Sequence, residues 1–271
     1  MQIKSFLHCI YVLIFLGFLG CATDGRNEQR VAGRHESLTL GERDKPSRAV
    51  VLNPALKTEE VLAVSLQFLP EEQQRLLKDG LSPDATVTPI TFANGDRGAF
   101  VLLGFSSRLS YQLLYRVRGQ VVELVEFHED PVWWGQTCTP DGDQLVVPVL
   151  PTFVDVQAPD GKRKRLLKVA VAIHPGTGMF SCGFALLEVT DQGLVSAFDG
   201  SEFDVNANPG GSRSTSRFQI ITPSGQGPSE ILEEGEDCSD YQESSDNFTN
   251  CHPRPSRRFR YDGWKFNPVQ E

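Results

Sequence analysis

Two histidines stand beside residues that could share a reaction with them. His128 is followed by Glu129 and Asp130, and an imidazole with carboxylates can bind a metal ion or transfer a proton. Adjacent residues of a strand point to opposite faces, so these three side chains do not converge without help from elsewhere in the fold. His174 precedes a Pro-Gly-Thr-Gly sequence typical of a turn, and the chain has no Gly-x-Ser-x-Gly motif. We therefore assign no catalytic residue, metal site or cofactor; the alternative is a hydrolase whose site is assembled from scattered histidines and acids.

The adjacent tryptophans Trp133 and Trp134 are the first candidates for ligand binding. In a strand, one of the two rings faces inward and the other faces outward. An exposed indole ring can stack on a sugar or anchor a protein partner. The other interpretation is that these rings pack in the core beside Cys138.

The densest positive charge in the chain is the run Lys162, Arg163, Lys164 and Arg165. It follows a Pro-Asp-Gly sequence, which favours a hairpin tip with a solvated face. Such a tip can bind lipid headgroups or polyanionic glycans through its charge.

The first 20 residues have the composition of an export signal. A positively charged start leads into the apolar run Ile10–Leu19, and its ten residues are too few to span a bilayer core of about 30 Å. The sequence Phe-Leu-Gly-Cys-Ala at positions 18–22 resembles the lipobox of bacterial lipoproteins. The resemblance implies that residues 1–20 are removed, that Cys21 is lipidated, and that the protein is anchored at the outer membrane. The alternative is ordinary cleavage after Ala22, without a lipid.

Four cysteines remain once one leaves with the signal peptide and Cys21 is lipidated. An even number in an exported chain predicts two disulfides, because the receiving compartment is oxidising. We expect Cys238 to pair with Cys251, since they bracket a polar segment, and Cys138 to pair with Cys182. Zinc binding is not expected, because no Cys-x-x-Cys spacing is present.

Charge and composition limit the partners and divide the chain. With 26 Lys+Arg against 35 Asp+Glu, the net charge is −9 and offers no basic footprint for nucleic acid. Residues 21–49 are polar, which predicts a lipid-bearing end and a flexible tether, and residues 50–271 then form a single domain. Residues 222–253 contain many acids and no Lys or Arg. We therefore predict a solvated excursion, that is, a long surface loop, crosslinked by a disulfide.

The elements that must position these residues are mainly β-strands. Residues 70–80 predict a helix, whereas residues 61–69 fit a strand or a helix. Alternating apolar residues predict strands from about residue 86 onward, with hairpin turns at residues 118–120, 190–193 and 262–263. We expect a mainly-β antiparallel sandwich or meander with one or two short N-terminal helices. We expect the chain to be a lipid-anchored envelope protein that faces the periplasm or the cell surface. It would bind an unknown envelope protein or glycan and would not be a catalyst.

Overall fold

The structure is a computed structural model of the 271-residue chain. It describes residues 49–50, 58–78, 84–105, 109–119, 121–130, 133–138, 145–176, 179–208, 210–242, 245 and 247–270. These residues all belong to one compact unit, Pro46–Glu271. The predicted signal peptide, Cys21 and the tether as far as residue 48 lie outside the described residues. Within the described ranges, no helix has the length and apolar character needed to cross a bilayer.

Two short helices precede an almost wholly β structure. The helical elements are α1 (Thr58–Ser65), a 3₁₀ turn (Leu66–Phe68) and α2 (Glu71–Lys78). The strands are β1 (Ala49–Val50), β2 (Asp84–Thr91), β3 (Arg97–Phe105), β4 (Leu109–Arg118), β5 (Val121–Asp130), β6 (Trp133–Trp134), β7 (Gln136–Cys138), β8 (Leu145–Pro148), β9 (Thr152–Gln157), β10 (Arg163–Gly176), β11 (Met179–Thr190), β12 (Gly193–Asn206), β13 (Arg213–Ile221), β14 (Glu230–Gln242), β15 (Asn247–Tyr261) and β16 (Phe266–Pro268). The mainly-β fold with short N-terminal helices is confirmed.

Both helical segments follow from local sequence. Helix α2 has two glutamates in its first turn, where carboxylates favour the positive end of the helix dipole. The stretch before it, which fits either a strand or a helix by sequence, is helical. Its residues Val61 and Val64 are three apart, so they lie on one face of α1 and are buried against the first sheet.

The first sheet is a five-stranded antiparallel sheet with the order β1-β5-β4-β3-β2. Side chains alternate along β3, so Val101 and Leu103 pack under α1, while Phe100 and Leu102 face the second sheet. The second face meets Leu167 and other apolar residues of β10 and β11. This sheet is therefore the middle layer, with helices on one side and a second sheet on the other.

The second sheet has nine strands, in the order β16-β15-β14-β13-β12-β11-β10-β6, with β9 also paired to β10. A third apolar cluster gathers residues from β9–β12 and from β14–β16. Ser229 joins strands that are distant in this order. Its N–H donates to the Gln157 carbonyl at 2.8 Å, and its own carbonyl accepts the Tyr261 N–H at 2.9 Å. The sheet therefore curls so that β9 and the end of β15 meet at Ser229.

Two polar side chains tie the first sheet to the β11–β12 hairpin of the second. Arg116, only 3% exposed, stacks 4.2 Å from the Phe92 ring centroid and donates to the Asp191 carbonyl at 2.6 Å. From β5, Glu126 Oε2 accepts the N–H of Leu194 at 2.6 Å. Packing of the two sheets removes water from these polar groups. Both contacts supply hydrogen bonds that replace those to water.

The prediction of a solvated excursion over residues 222–253 is wrong for most of that range. Strands β14 and β15 pair from Glu230 opposite Arg260 to Gln242 opposite Asn247, so only residues 222–229 lie outside strands before β14 begins. The small number of apolar side chains suggested a loop. Ladder hydrogen bonds and charge pairs across strands supply the order that apolar burial does not.

The predicted hairpins are present, with one change. Strands β4 and β5 turn at Gly119, whose φ of +61° suits glycine, and β11 and β12 turn at residues 191–192. The predicted two-residue turn at 262–263 is wrong, because β15 and β16 are joined by the four residues Asp262–Lys265. The Asp262 carboxylate accepts the N–H groups of Trp264 and Lys265 at 2.7 and 2.9 Å, which stabilises the longer loop.

Candidate binding surface

Two hairpin tips of the second sheet lie side by side. The β9–β10 tip spans residues 158–162, and the β15–β16 loop spans Asp262–Lys265. A Cβ atom built on Gly263 would lie 3.8 Å from the Cβ of Ala158. Lys164 Nζ lies 4.5 Å from the ring centroid of Trp264. We call the residues Lys162, Lys164, Trp264 and Lys265 the tryptophan–basic surface.

The β9–β10 tip is shaped by its own backbone. Gly161 has a φ of +81°, a conformation that favours glycine, and its N–H donates to the Ala158 carbonyl at 2.9 Å. Asp160 Oδ1 accepts the N–H of Lys162 at 3.1 Å. The hydrogen bond from the Lys162 side chain and this backbone bond hold the pKa of Asp160 below its usual value. The aspartate is therefore part of the turn that presents the lysine.

The β15–β16 loop uses its aspartate in the same way. The backbone N–H groups of Lys265 and Trp264 lower the pKa of Asp262, because both hydrogen bonds favour the ionised carboxylate. Asn267 Nδ2 donates to the second carboxylate oxygen at 2.7 Å. The Asp262 carboxylate is therefore directed toward its own loop. Trp264, in the same loop, is 67% exposed.

The four residues of the predicted basic run divide between the tip and the strand. Lys162 lies in the tip, with its side chain 81% exposed and paired to Asp160 at 2.8 Å. Lys164 is 2.8 Å from Glu188 and only 28% exposed. Arg165 points to the other side of β10 and lies 3.0 Å from Asp155. By the same alternation, Arg163 shares the side of Arg165, so the run does not form one uniform basic face. Lys164 contacts Trp264, and Lys162 lies in the tip beside it.

Trp133 and Trp134 form the short strand β6. Trp133 lies opposite Ala172 and Trp134 opposite Val171, so the pair occupies the side of β10 that does not face β11. Their side chains lie outside the described part of the structure. The choice between core packing and a binding role stays a prediction.

A disulfide joins Cys238 and Cys251, the pair favoured from the sequence. The two residues lie directly opposite each other in β14 and β15, with Cα atoms 4.0 Å apart. Glu236 lies close to both sulfurs, but the disulfide removes the two thiolates that a metal would need. Cys182 is buried and also disulfide-bonded. Only the backbone of Cys138 is described, so its pairing with Cys182 stays a prediction.

An acidic strand with basic neighbours forms the centre of the C-terminal part of the second sheet. Glu233 on β14 is only 2% exposed. Its carboxylate lies 3.2 Å from the Arg254 guanidinium and accepts hydrogen bonds from Arg257 at 2.6 Å and from Ser216 at 3.0 Å. Arg254 also lies 3.3 Å from Asp237. These charges are matched to one another, and the resulting network stabilises the strands that carry it.

His128 does find a carboxylate, although not one of those that follow it in sequence. Its Nε2 hydrogen-bonds Glu126, two residues earlier, because residues i and i+2 of a strand share a face. The His128 side chain is 44% exposed, so the pair lies at the surface. Since Glu126 also accepts the Leu194 N–H, it serves the contact between the sheets. The His174 side chain lies outside the described residues.

Sequence reasoning missed Trp264, which it used only as the flank of a turn. A tryptophan directly after an Asp-Gly turn lies on an exposed tip, and that local signal was present. Its proximity to Lys164 was not visible, because the contact joins residues 100 positions apart in the chain. Comparisons of the chain with protein-family models, with curated proteins and with solved structures find no match.

Proposed function

We propose that the protein is an exported bacterial envelope lipoprotein, held at the outer membrane by a lipid on Cys21, and that it acts as a non-catalytic binding or scaffolding protein. The observation that carries the anchor is the run of ten apolar residues that ends directly before Gly20 and Cys21. By resemblance to lipoproteins, this cysteine receives the lipid. Two or three acyl chains on one residue hold a protein at a bilayer stably, whereas one chain holds it only marginally.

The Cys238–Cys251 disulfide supports the export step. Disulfides persist in oxidising compartments and are rare in the cytosol. This disulfide lies within a hydrogen-bonded ladder, where the two cysteines face each other directly. The strands hold the two cysteines next to each other. The disulfide would then form when the exported chain enters an oxidising compartment.

The arrangement of polar groups supports binding or scaffolding. Glu233 and Arg116 are buried and Glu126 is partly buried, and each makes contacts that hold strands or sheets together. The exposed groups at the two hairpin tips include Trp264, Lys162 and Lys265. Such groups are common at binding surfaces, where an amphipathic ring and charge act together.

Lipidation is tested by fractionation combined with intact-mass analysis. The membrane-extracted protein should have the mass of residues 21–271 plus acyl chains. Cys21→Ser should leave the signal peptide uncleaved or release the protein from the membrane, because the acceptor thiol is gone. Cys9→Ser is the matched control, since that cysteine leaves with the signal peptide, and it should behave like the wild type. Normal processing and unchanged membrane binding of Cys21→Ser would contradict the proposal.

A further inference from the structure

We infer that the tryptophan–basic surface rests on the anionic lipid headgroups of the membrane and fixes how the domain is oriented there. This inference rests on the proposed function, because the lipid on Cys21 would bring the domain to that membrane. The structure contributes three features: an exposed indole ring with a lysine held against it, an exposed lysine in each of two hairpin tips, and the adjacent position of these tips.

The indole ring is exposed and already oriented. Trp264 is 67% exposed, although apolar surface of this size is normally buried. Lys164 Nζ lies 4.5 Å from its ring centroid, and that lysine is in turn held by Glu188 at 2.8 Å. The Trp264 backbone N–H is held by Asp262. Little ordering is therefore needed on binding, and tryptophan is enriched at the boundary between lipid headgroups and acyl chains.

The cations around Trp264 suit anionic headgroups. Lys162 and Lys265 are exposed, one in each tip, although the net charge of the chain is −9. The acids of the two tips, Asp160 and Asp262, both accept hydrogen bonds from the backbone of their turns. The ion pair between Lys162 and Asp160 lies in water, where such pairs contribute little, so the lysine is available to a lipid phosphate.

The shape of the surface favours a membrane over a carbohydrate. Sugars and other small ligands are usually held in concave sites. The tryptophan–basic surface consists of two turns at the tips of hairpins, which suits contact with a broad, flat layer of headgroups.

The proposed anchor makes even a weak contact effective. As a flexible coil, residues 21–49 would span about 30 Å, so the lipid would keep the domain within reach of the bilayer. Tethering raises the effective concentration of the headgroups at the domain surface. The surface then needs only enough affinity to choose one orientation of the domain among many.

Vesicle flotation with a chain that lacks the lipid tests this inference. The mature chain from Ala22 is exported with a signal peptide that does not direct lipidation, so that its disulfides form and acyl chains do not contribute. It is mixed with vesicles of phosphatidylglycerol and phosphatidylethanolamine, or of phosphatidylcholine alone. We expect binding to the anionic vesicles only, falling steeply as salt is raised, with a blue shift of tryptophan emission.

Two variants and a matched control assign the binding to this surface. Trp264→Ala and Lys162→Glu should each weaken binding to anionic vesicles at least tenfold. Arg217→Glu makes the same charge change at an exposed arginine of β13, outside the surface, and should bind like the wild type. Circular dichroism and the melting temperature of each variant verify that it is folded.

Several outcomes would overturn the inference. One is failure of the wild-type chain to bind anionic vesicles, and another is equal weakening by Arg217→Glu and Lys162→Glu. Binding to a soluble sulfated polysaccharide without binding to anionic vesicles would identify a glycan as the ligand and overturn it as well. None of these results affects the anchor, because the chain in this experiment carries no lipid; the anchor is judged by Cys21→Ser alone.

Discussion

Glu233 is a charged residue that is only 2% exposed, and it is bound by two arginines and a serine. Removing one partner of a fully buried ion pair costs about 3–5 kcal/mol, because the other charge is left without compensation. The Arg257 side chain is 47% exposed and can recover water. We therefore expect Glu233→Gln to lower the free energy of unfolding by about 2 kcal/mol, below the range for fully buried pairs. Urea unfolding followed by circular dichroism measures this change.

The neighbouring residue supplies the control for that measurement. Glu234 lies on β14 directly after Glu233, but it is exposed. Glu234→Gln makes the same chemical change and should alter the free energy of unfolding by less than about 0.5 kcal/mol. Equal destabilisation by both variants would show that net charge, and not the buried network, stabilises the sheet.

Two buried tyrosines of β4 predict a loss of stability at alkaline pH. Burial raises the pKa of Tyr111 and of Tyr115 from 10.0 to about 12. Since the folded state favours the neutral phenol, this contribution is complete below pH 10, the value for the unfolded chain, and is lost as the pH rises through 12. We expect the free energy of unfolding to fall between pH 10 and 12. Denaturant unfolding at a series of pH values measures this decrease.

Tyr115→Phe separates this effect from general alkaline damage. Ser65 Oγ lies 2.7 Å from the Val61 carbonyl, to which it donates, so the Tyr115 hydroxyl donates to Ser65 Oγ at 2.9 Å. The variant should lose about 1 kcal/mol at neutral pH with this hydrogen bond, and its stability should fall less between pH 10 and 12. The same alkaline dependence in wild type and variant would contradict the assignment to Tyr115.

At the scale of elements, the β14–β15 hairpin separates two sources of order. Near the Ser229 end, apolar residues and the Glu233 network hold the strands together; farther along, the Cys238–Cys251 disulfide does so. A disulfide that closes a loop of about 15 residues contributes roughly 3 kcal/mol in the chain-entropy account. We expect Cys251→Ser to make residues 239–250 protease-sensitive, while strands nearer Ser229 stay protected. Limited proteolysis with mass spectrometry locates the cleavage sites.

The control for this experiment is chemical. The wild-type protein treated with reductant should be cleaved at every position where Cys251→Ser is cleaved, and at any further position that reduction of the Cys182 disulfide exposes; the oxidised protein should resist. Non-reducing peptide mapping should recover a peptide in which Cys238 is joined to Cys251. Cleavage spread over the whole second sheet would contradict a local role for the disulfide.

Sequence patterns predicted the elements whose order comes from apolar burial. Alternation in residues 166–173 predicted a strand, and this stretch lies within β10, where Leu166 and Leu167 face different clusters. The same reasoning failed for β14, because its order comes from charges that match those of β15 and from backbone pairing. A partner strand that supplies the opposite charge does not show in the composition of one segment.

At the scale of the whole molecule, the candidate surface depends on contacts that sequence does not reveal. The basic run of residues 162–165 and the turn before Trp264 can both be recognised in the sequence. Their meeting requires the second sheet to curl, which happens through the Ser229 bridge and the third apolar cluster. Contacts between segments this far apart follow from topology, and local periodicity carries no information about them.

The Ser229 bridge also implies an order of events during folding. Gln157 and Ser229 are 72 residues apart, whereas the disulfide spans a separation of 13. Each doubling of a closed loop costs about 0.6 kcal/mol, so the bridge costs about 1.5 kcal/mol more to close than the hairpin that the disulfide crosses. Gln157 directly precedes the β9–β10 tip, and Tyr261 directly precedes the Trp264 loop. We therefore expect the two tips to be brought together late, with the tryptophan–basic surface among the last parts of the protein to form.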